Sequence, residues 1–140
     1  MVITEVKIKL MPGREDKLRA FCSVTLDDSL VIRELKVIEG SKGTFVAMPS
    51  RKLTEKCSRC GVKNHIRSFY CNECGAKLIP QKGFKDVKGN PKFHAEIAHP
   101  INTQAREYIQ KTVLDAYGKE VQLSAQPGYK PSAMEDLTEE

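Results

Sequence analysis

The segment KCSRCGVKNHIRSFYCNECGAKL, residues 56–78, decides how this chain folds, because it holds four of the five cysteines in two Cys-x-x-Cys pairs. Two residues between cysteines allow one tight turn to direct both thiolates at a single ion, about 2.3 Å from each sulfur. Ten residues separate the pairs, which is enough to reverse the chain. The spacing therefore predicts a closed site for one structural Zn²⁺, with four ligands: Cys57, Cys60, Cys71 and Cys74.

Other uses of the four cysteines are open at this point. Iron in a rubredoxin-like site takes the same thiolate set. Two disulfides or a redox-active pair are further alternatives, although a redox pair normally starts a helix that follows a strand. His65 lies between the pairs, and we expect an exposed loop residue there because four sulfurs already complete a tetrahedron.

A closed four-thiolate site has no free coordination position for water or substrate, so its metal would fold the segment and would not catalyse a reaction. Residues 53–80 hold few apolar side chains, and segments of that size usually need a metal or disulfide to fold. No Ser/His/Asp set, paired carboxylates or phosphate-binding glycine loop stands out elsewhere. We therefore expect neither an enzyme nor a small-molecule substrate.

The N-terminal region is typical of β-strands. Mostly apolar residues alternate with charged ones over residues 2–10, which is the pattern of a half-buried strand. Similar runs cover residues 17–26, 30–38 and 44–48, with short turns between them. Cys22, the fifth cysteine, is predicted to be a small core residue. Four strands joined by short turns predict an antiparallel meander.

One more strand and one helix are predicted after the cysteines. Residues 92–98 alternate like a fifth strand, and Asn102 or Thr103 would cap a helix that ends near Gly118. The predicted fold class is α+β, with a small antiparallel sheet of about five strands and one C-terminal helix. One helix covers one face of such a sheet, so we expect a homo-oligomer. Residues 121–140, with four acids in the last six positions, are predicted to be disordered.

Positive charge is concentrated around the cysteines. The formal net charge is +5, yet residues 51–92 hold eleven Lys and Arg against three acidic residues. A solvated surface is one interpretation, and a polyanion-binding face is the other, with nucleic acid as the commonest cytoplasmic candidate. The chain shows no secretory signal and no apolar segment long enough for a membrane span, so we expect a cytoplasmic protein without membrane contact.

Four segments outside the cysteines carry a resemblance. They are MVITEVKIKL, RAFCSVTLDDSLVIRELKVIEG, GTFVAMPSRK and FHAEIAHPINTQAREYIQKTVLDAY, of which FVAMPS and IAHPIN are the most specific. In this order they resemble the SpoVG family (stage V sporulation protein G). The resemblance implies a homodimer with a small sheet and a helix, and a bacterial regulator that binds DNA or RNA and is linked to septation or sporulation.

The resemblance also divides the chain. Residues 1–52 and 91–120 correspond to the family's domain, and residues 53–90 replace a short loop. The end of that insert, FYCNECGAKL, is similar to bacterial zinc ribbons. Asn64 is similar to an asparagine of Ran-binding-protein zinc fingers, but the tryptophan usual in those fingers is absent, which favours the ribbon.

Candidate nucleic-acid contacts follow from the resemblance and from charge. The family's basic pair after MPS corresponds to Arg51 and Lys52, and the insert adds Arg59, Lys63 and Arg67. We expect Phe69 and Tyr70 to belong to the ribbon's small core, with stacking on a base as the alternative. Two function classes remain: a dimeric nucleic-acid-binding regulator, or an adaptor in which the ribbon holds a protein partner.

Overall fold

The computed structural model describes residues 1–13, 16–79, 84–85, 88–89 and 91–131. The chain divides into two compact units. The sheet unit comprises Met1–Pro49 and Ala98–Glu140, and the ribbon unit comprises Ser50–Ile97. The domain boundaries expected at 52/53 and 90/91 stay predictions, and much of the predicted basic linker before residue 91 lies outside the described residues.

The sheet unit contains the predicted meander. Its strands are β1 (Ile3–Leu10), β2 (Leu18–Leu26), β3 (Leu30–Gly40) and β4 (Gly43–Ala47), which pair antiparallel in that order. The β2–β3 turn needs positive φ at two residues, 50° at Asp27 and 51° at Asp28. It is held by the backbone N–H of Val2, which donates to Asp27 Oδ1 at 3.0 Å. The α+β fold class is confirmed.

One helix, α1 (Thr103–Ser124), packs on this sheet. Asn102 is its N-cap, as predicted, because the Asn102 side-chain oxygen accepts the N–H of Ala105 at 2.7 Å. Ile109 and Val113 join a core that also includes Cys22, which has no exposed surface. Burial raises the pKa of the Cys22 thiol to about 12, and its predicted place in the core is confirmed.

The helix is longer than the sequence predicted. It passes through Gly118 and ends at Ser124, so the first residues of the predicted disordered tail are helical. Residues 119–123 (KEVQL) are mostly good helix formers, and they outweigh the cost of about 1 kcal/mol that one glycine adds. Beyond the helix, the hydroxyl of Tyr129 donates to Glu120 Oε1 at 2.7 Å. Residues 132–140 lie outside the described residues.

The fifth strand does not join the four-stranded sheet, which corrects the predicted sheet. In the ribbon unit, β10 (His94–Glu96) pairs antiparallel with β5 (Ser50–Lys52). Pro49, which precedes β5, has no N–H to continue a ladder from β4. The remaining strands form two further pairs: β6 (Thr54–Lys56) with β7 (Lys63–His65), and β8 (Phe84–Lys85) with β9 (Pro91–Lys92).

Within the described residues, no helix combines the length and the apolar character that a membrane span requires.

Candidate metal centre and basic surface

The four cysteines of the two pairs meet in the ribbon unit. Their sulfur atoms all lie within 4.8 Å of one another, with 3.8 Å between Cys57 Sγ and Cys74 Sγ and 3.5 Å between Cys60 Sγ and Cys71 Sγ. Four sulfurs at 2.3 Å from one tetrahedral ion would be about 3.8 Å apart. The cysteines are free thiols, far from the roughly 2.05 Å of a disulfide. The cluster therefore fits a metal ion.

Each pair forms the same tight turn. The N–H of Gly61 donates to the carbonyl of Cys57 at 2.8 Å, and the N–H of Gly75 donates to the carbonyl of Cys71 at 3.1 Å. Both glycines have positive φ, 81° at Gly61 and 75° at Gly75, where a side chain would be strained. In each turn a backbone N–H, from Arg59 or Glu73, points at the first sulfur at 3.4 Å. The turns thus supply amide dipoles that stabilise thiolates.

Asn64 joins the two turns. Its side chain is buried, with 5% of its surface exposed. Asn64 Oδ1 accepts the N–H of Asn72 in the second turn at 2.8 Å, and Asn64 Nδ2 donates to the carbonyl of Val62 beside the first turn at 3.4 Å. The sequence singled out this asparagine only through a resemblance, and the structure gives it a positioning role beside the ligands.

The thiols differ in acidity. Backbone amides of Cys74 and Glu73 and the Asn64 side chain lower the pKa of Cys71 to about 6, against the effect of burial. For Cys60, the Val62 amide lowers the pKa, but desolvation and the neighbouring thiols together raise it to about 12. Four crowded thiols cannot all ionise without a counter-charge, and a divalent cation supplies one.

His65 lies outside this cluster. Its Nδ1 accepts the backbone N–H of Arg67 at 3.0 Å, which occupies the ring nitrogen that faces the turn. The only group of possible metal ligands among the described residues is the four cysteines. The structure thus brings together the four cysteines that the spacing predicted as ligands, and His65 is not part of that group.

The five predicted nucleic-acid contacts all belong to the ribbon unit, and all five side chains are exposed. Arg51 and Lys52 lie on β5, where they pair with Ala95 and His94 of β10. Lys63 starts β7, and Arg59 lies in the first cysteine turn. The remaining residue of the set is Arg67, whose guanidinium carbon lies 4.5 Å from the centroid of the Phe93 ring, a cation–π contact.

Two lysines face each other on the β6–β7 hairpin. Lys56 is directly opposite Lys63, both are exposed, and neither forms an ion pair with a described residue. Like charges directly opposite in an antiparallel pair are destabilising. Lys56 is not among the contacts predicted from the sequence, although its position before Cys57 and the chain reversal between the cysteine pairs could have placed it across from Lys63.

Phe69 and Tyr70 are not core residues of the ribbon, which corrects the preferred interpretation. Both are 65% exposed, whereas Ile66 is 2% exposed and fills the interior. Phe69 and Tyr70 lie in a short antiparallel segment, where Tyr70 forms an isolated bridge with Lys77 and the carbonyl of Phe69 accepts the N–H of Leu78 at 2.7 Å. These aromatic rings are available for contact with another molecule.

Comparison with known proteins identifies relatives of this chain. A family model described as SpoVG matches residues 1–119. Three similar proteins bear the name "Putative septation protein SpoVG". The Lachnospira eligens protein is 37% identical over 119 residues, covering 85% of this chain and 93% of that one. The Anaeromyxobacter sp. protein is 33% identical over 136 residues, covering 97% of this chain and 99% of that one. The Clostridium beijerinckii protein is 38% identical over 121 residues, covering 86% of this chain and 92% of that one.

Proposed function

This chain belongs to the SpoVG family, and from that premise we propose that it is a nucleic-acid-binding regulatory protein whose ribbon unit forms the main phosphate-binding surface. Its four clustered cysteines would hold one structural Zn²⁺. The regulated process would be septation or a sporulation-type programme, in keeping with the names of its relatives.

One observation carries the proposal: Lys56 faces Lys63 directly across the β6–β7 hairpin. Such a pair costs folding free energy, because both side chains are positively charged and their Cβ atoms lie about 5 Å apart. A polyanion lying across the hairpin would offset this repulsion by pairing each ammonium group with a phosphate and releasing counterions. Arg51, Lys52 and Arg59, which are exposed on the same unit, would extend the surface.

The metal would have a folding role in this arrangement. All four possible ligands come from the protein, so no position is left for substrate. Fixing the two turns would hold Arg59 and the β6–β7 hairpin in place, because β6 leads directly into Cys57. Zinc would therefore maintain the basic surface without contacting nucleic acid.

We also propose that the protein is a cytoplasmic homodimer. Among the described residues, β1 and β4 each have a strand neighbour on one side only. Phe45 on β4 is 42% exposed, so this edge offers apolar area that a second subunit could cover. Light scattering over a range of concentrations would measure the mass, and a monomer at every concentration would contradict this part of the proposal.

The nucleic-acid proposal is tested by a salt titration. The zinc-loaded protein is titrated against a mixed-sequence duplex and against one of its strands, by fluorescence anisotropy, over a series of salt concentrations. We expect log affinity to fall linearly with log salt. Replacing Arg51 and Lys52 with Ala should reduce the steepness by about 0.7–0.9 for each phosphate that the variant no longer binds.

A matched control removes the same charge elsewhere. Lys111 and Lys119 are exposed on α1 in the sheet unit, and replacing both with Ala should leave the salt dependence nearly unchanged. If the wild-type protein binds neither nucleic acid in a salt-dependent manner, the proposal is wrong. An adaptor function, in which the ribbon unit contacts an acidic protein, would then take its place.

A further inference from the structure

We propose that the ribbon unit recognises single-stranded nucleic acid by stacking unpaired bases on Tyr70 and Phe69, while Lys77 binds a phosphate of the same strand. This inference rests on the proposed function and specifies its substrate class. It concerns residues that the basic surface described above does not include.

The exposure of the two aromatic rings is unusual for so small a unit. Phe69 and Tyr70 are each 65% exposed, although the ribbon unit has few large apolar side chains and, of those whose burial the structure describes, only Ile66 is fully buried. Burying one such ring stabilises a fold by about 1.5–3 kcal/mol. The unit leaves this stabilisation unused at two adjacent positions, which is the pattern of a contact surface.

A second aromatic environment in the same unit provides a contrast. Phe93 is half-buried, and the Arg67 guanidinium covers its face at 4.5 Å. Its ring is thus occupied within the protein. No ring or cation contact is found for Phe69 or Tyr70 among the described residues, so their faces are open to a ligand.

Tyr70 and Lys77 form a pair suited to one nucleotide. They are opposite each other in an antiparallel bridge, so their side chains leave the same face with Cβ atoms about 5 Å apart. Both side chains are exposed, and neither has a hydrogen-bond or ion-pair partner among the described residues. A base on the Tyr70 ring would place its own backbone phosphate within reach of the flexible Lys77 side chain.

Lys77 also connects the aromatic pair to the basic hairpin. A cleft of about 270 Å³ in the ribbon unit is lined by Lys56 and Lys77 together with His65, Ser68 and Ile79, and by Glu55. The two lysines therefore border one depression. A strand that stacks on Tyr70 would continue along cations, which favours a polyanion over an apolar peptide as the occupant.

Stacking on a side chain requires a base whose face is free. In a duplex every interior base is covered on both faces by its neighbours, whereas unpaired bases can place one face on an aromatic ring. The aromatic pair should therefore contribute to single-strand binding and contribute nothing to duplex binding. The basic residues should contribute to both, because both carry phosphates.

The experiment compares full-length, metal-loaded variants on three probes: a mixed-sequence DNA strand of about 20 nucleotides, the RNA of the same sequence, and the DNA duplex. The variants are Tyr70→Ala, the double variant Phe69→Ala with Tyr70→Ala, and Tyr70→Phe. Replacing an aromatic with Ala should weaken binding to either single strand by about fivefold or more per ring, with the salt slope unchanged. Tyr70→Phe should bind like the wild type, since it keeps the ring.

An exposed apolar residue outside the ribbon unit supplies the control. Ile101 is 87% exposed in the sheet unit, and replacing it with Ala should leave binding to every probe unchanged. Native metal content and an unchanged circular dichroism spectrum show that each variant is folded. Equal affinities for the DNA and RNA single strands would support recognition through the bases alone. Unequal affinities would support base stacking together with an added contact to the sugar.

Three results would overturn the inference. Loss of affinity that is equal on duplex and single strands would show that the rings act without base stacking. Unchanged affinity of the folded aromatic variants, with a normal wild-type salt slope, would reject stacking and leave the proposed function intact. A wild-type protein that binds no probe would reject both.

Discussion

Asn64 and Asn72 form the hydrogen bond that links the two cysteine turns. Asn64 Oδ1 accepts the N–H of Asn72 at 2.8 Å, from a side chain that is 5% exposed. The second turn is thereby fixed relative to the β6–β7 hairpin, which carries Lys56 and Lys63. Geometry at the candidate metal centre and placement of the basic hairpin are thus linked through one amide side chain.

Replacing Asn64 with Ala should weaken metal binding by about 10- to 100-fold, as is typical when a residue that orients ligands is removed. The N–H of Asn72 would also lose its protein partner, at a cost of about 0.5–1.5 kcal/mol. Competition with a chromophoric chelator measures the affinity. Asn72→Ala is the matched control, since Asn72 contributes only its backbone to the bond. Equal affinities for the two variants would contradict the positioning role.

Removing the metal should unfold the ribbon unit and leave the sheet unit folded. All four cysteines of the cluster lie within Ser50–Ile97, whereas the hydrophobic core that contains Val37 and Val113 belongs to the sheet unit. An amide NMR spectrum after chelation should lose dispersion only for the ribbon unit. A collapse of signals from β2 and β3 would show that the sheet unit also depends on the metal.

The five cysteines should differ in their reactivity toward iodoacetamide at a pH of about 8. Burial raises the pKa of Cys22 to about 12, far above the ordinary value near 8.5, so almost no reactive thiolate is present. The four clustered thiols should react only after chelation, because unfolding of the ribbon unit then relieves the desolvation and crowding that raise the pKa of Cys60. Mass spectrometry should therefore find four modifications in the chelated protein and a fifth only in denaturant. Early modification of Cys22 would contradict the buried position.

Much of the fold could be predicted because it depends on local pattern. The period-two alternation over β1–β4, the asparagine at the helix N-cap and the spacing of the cysteine pairs each express short-range geometry. In each case the residues that define the feature are close in sequence. The structure accordingly places these elements within a few residues of their predicted bounds.

The remaining features depend on competition between distant segments. Alternation indicates which side chains of β10 share a face, but the choice of β5 as partner depends on Pro49, which separates β5 from β4. The exposure of Tyr70 depends on how completely Ile66 and the cysteines already fill the small interior.

The most direct test of the account replaces Lys56 and Lys63 together with Gln. Because the pair repels itself on the folded hairpin, the free energy of unfolding of the ribbon unit should stay the same or rise. The steepness of log affinity against log salt for a mixed-sequence nucleic acid should nevertheless fall by about 0.7–0.9 for each lysine. The charge-matched double variant of Lys111 and Lys119 should keep the wild-type slope. A salt slope and affinity equal to those of the wild type, in a folded and metal-loaded Lys56→Gln, Lys63→Gln protein, would contradict the claim that this hairpin binds phosphates.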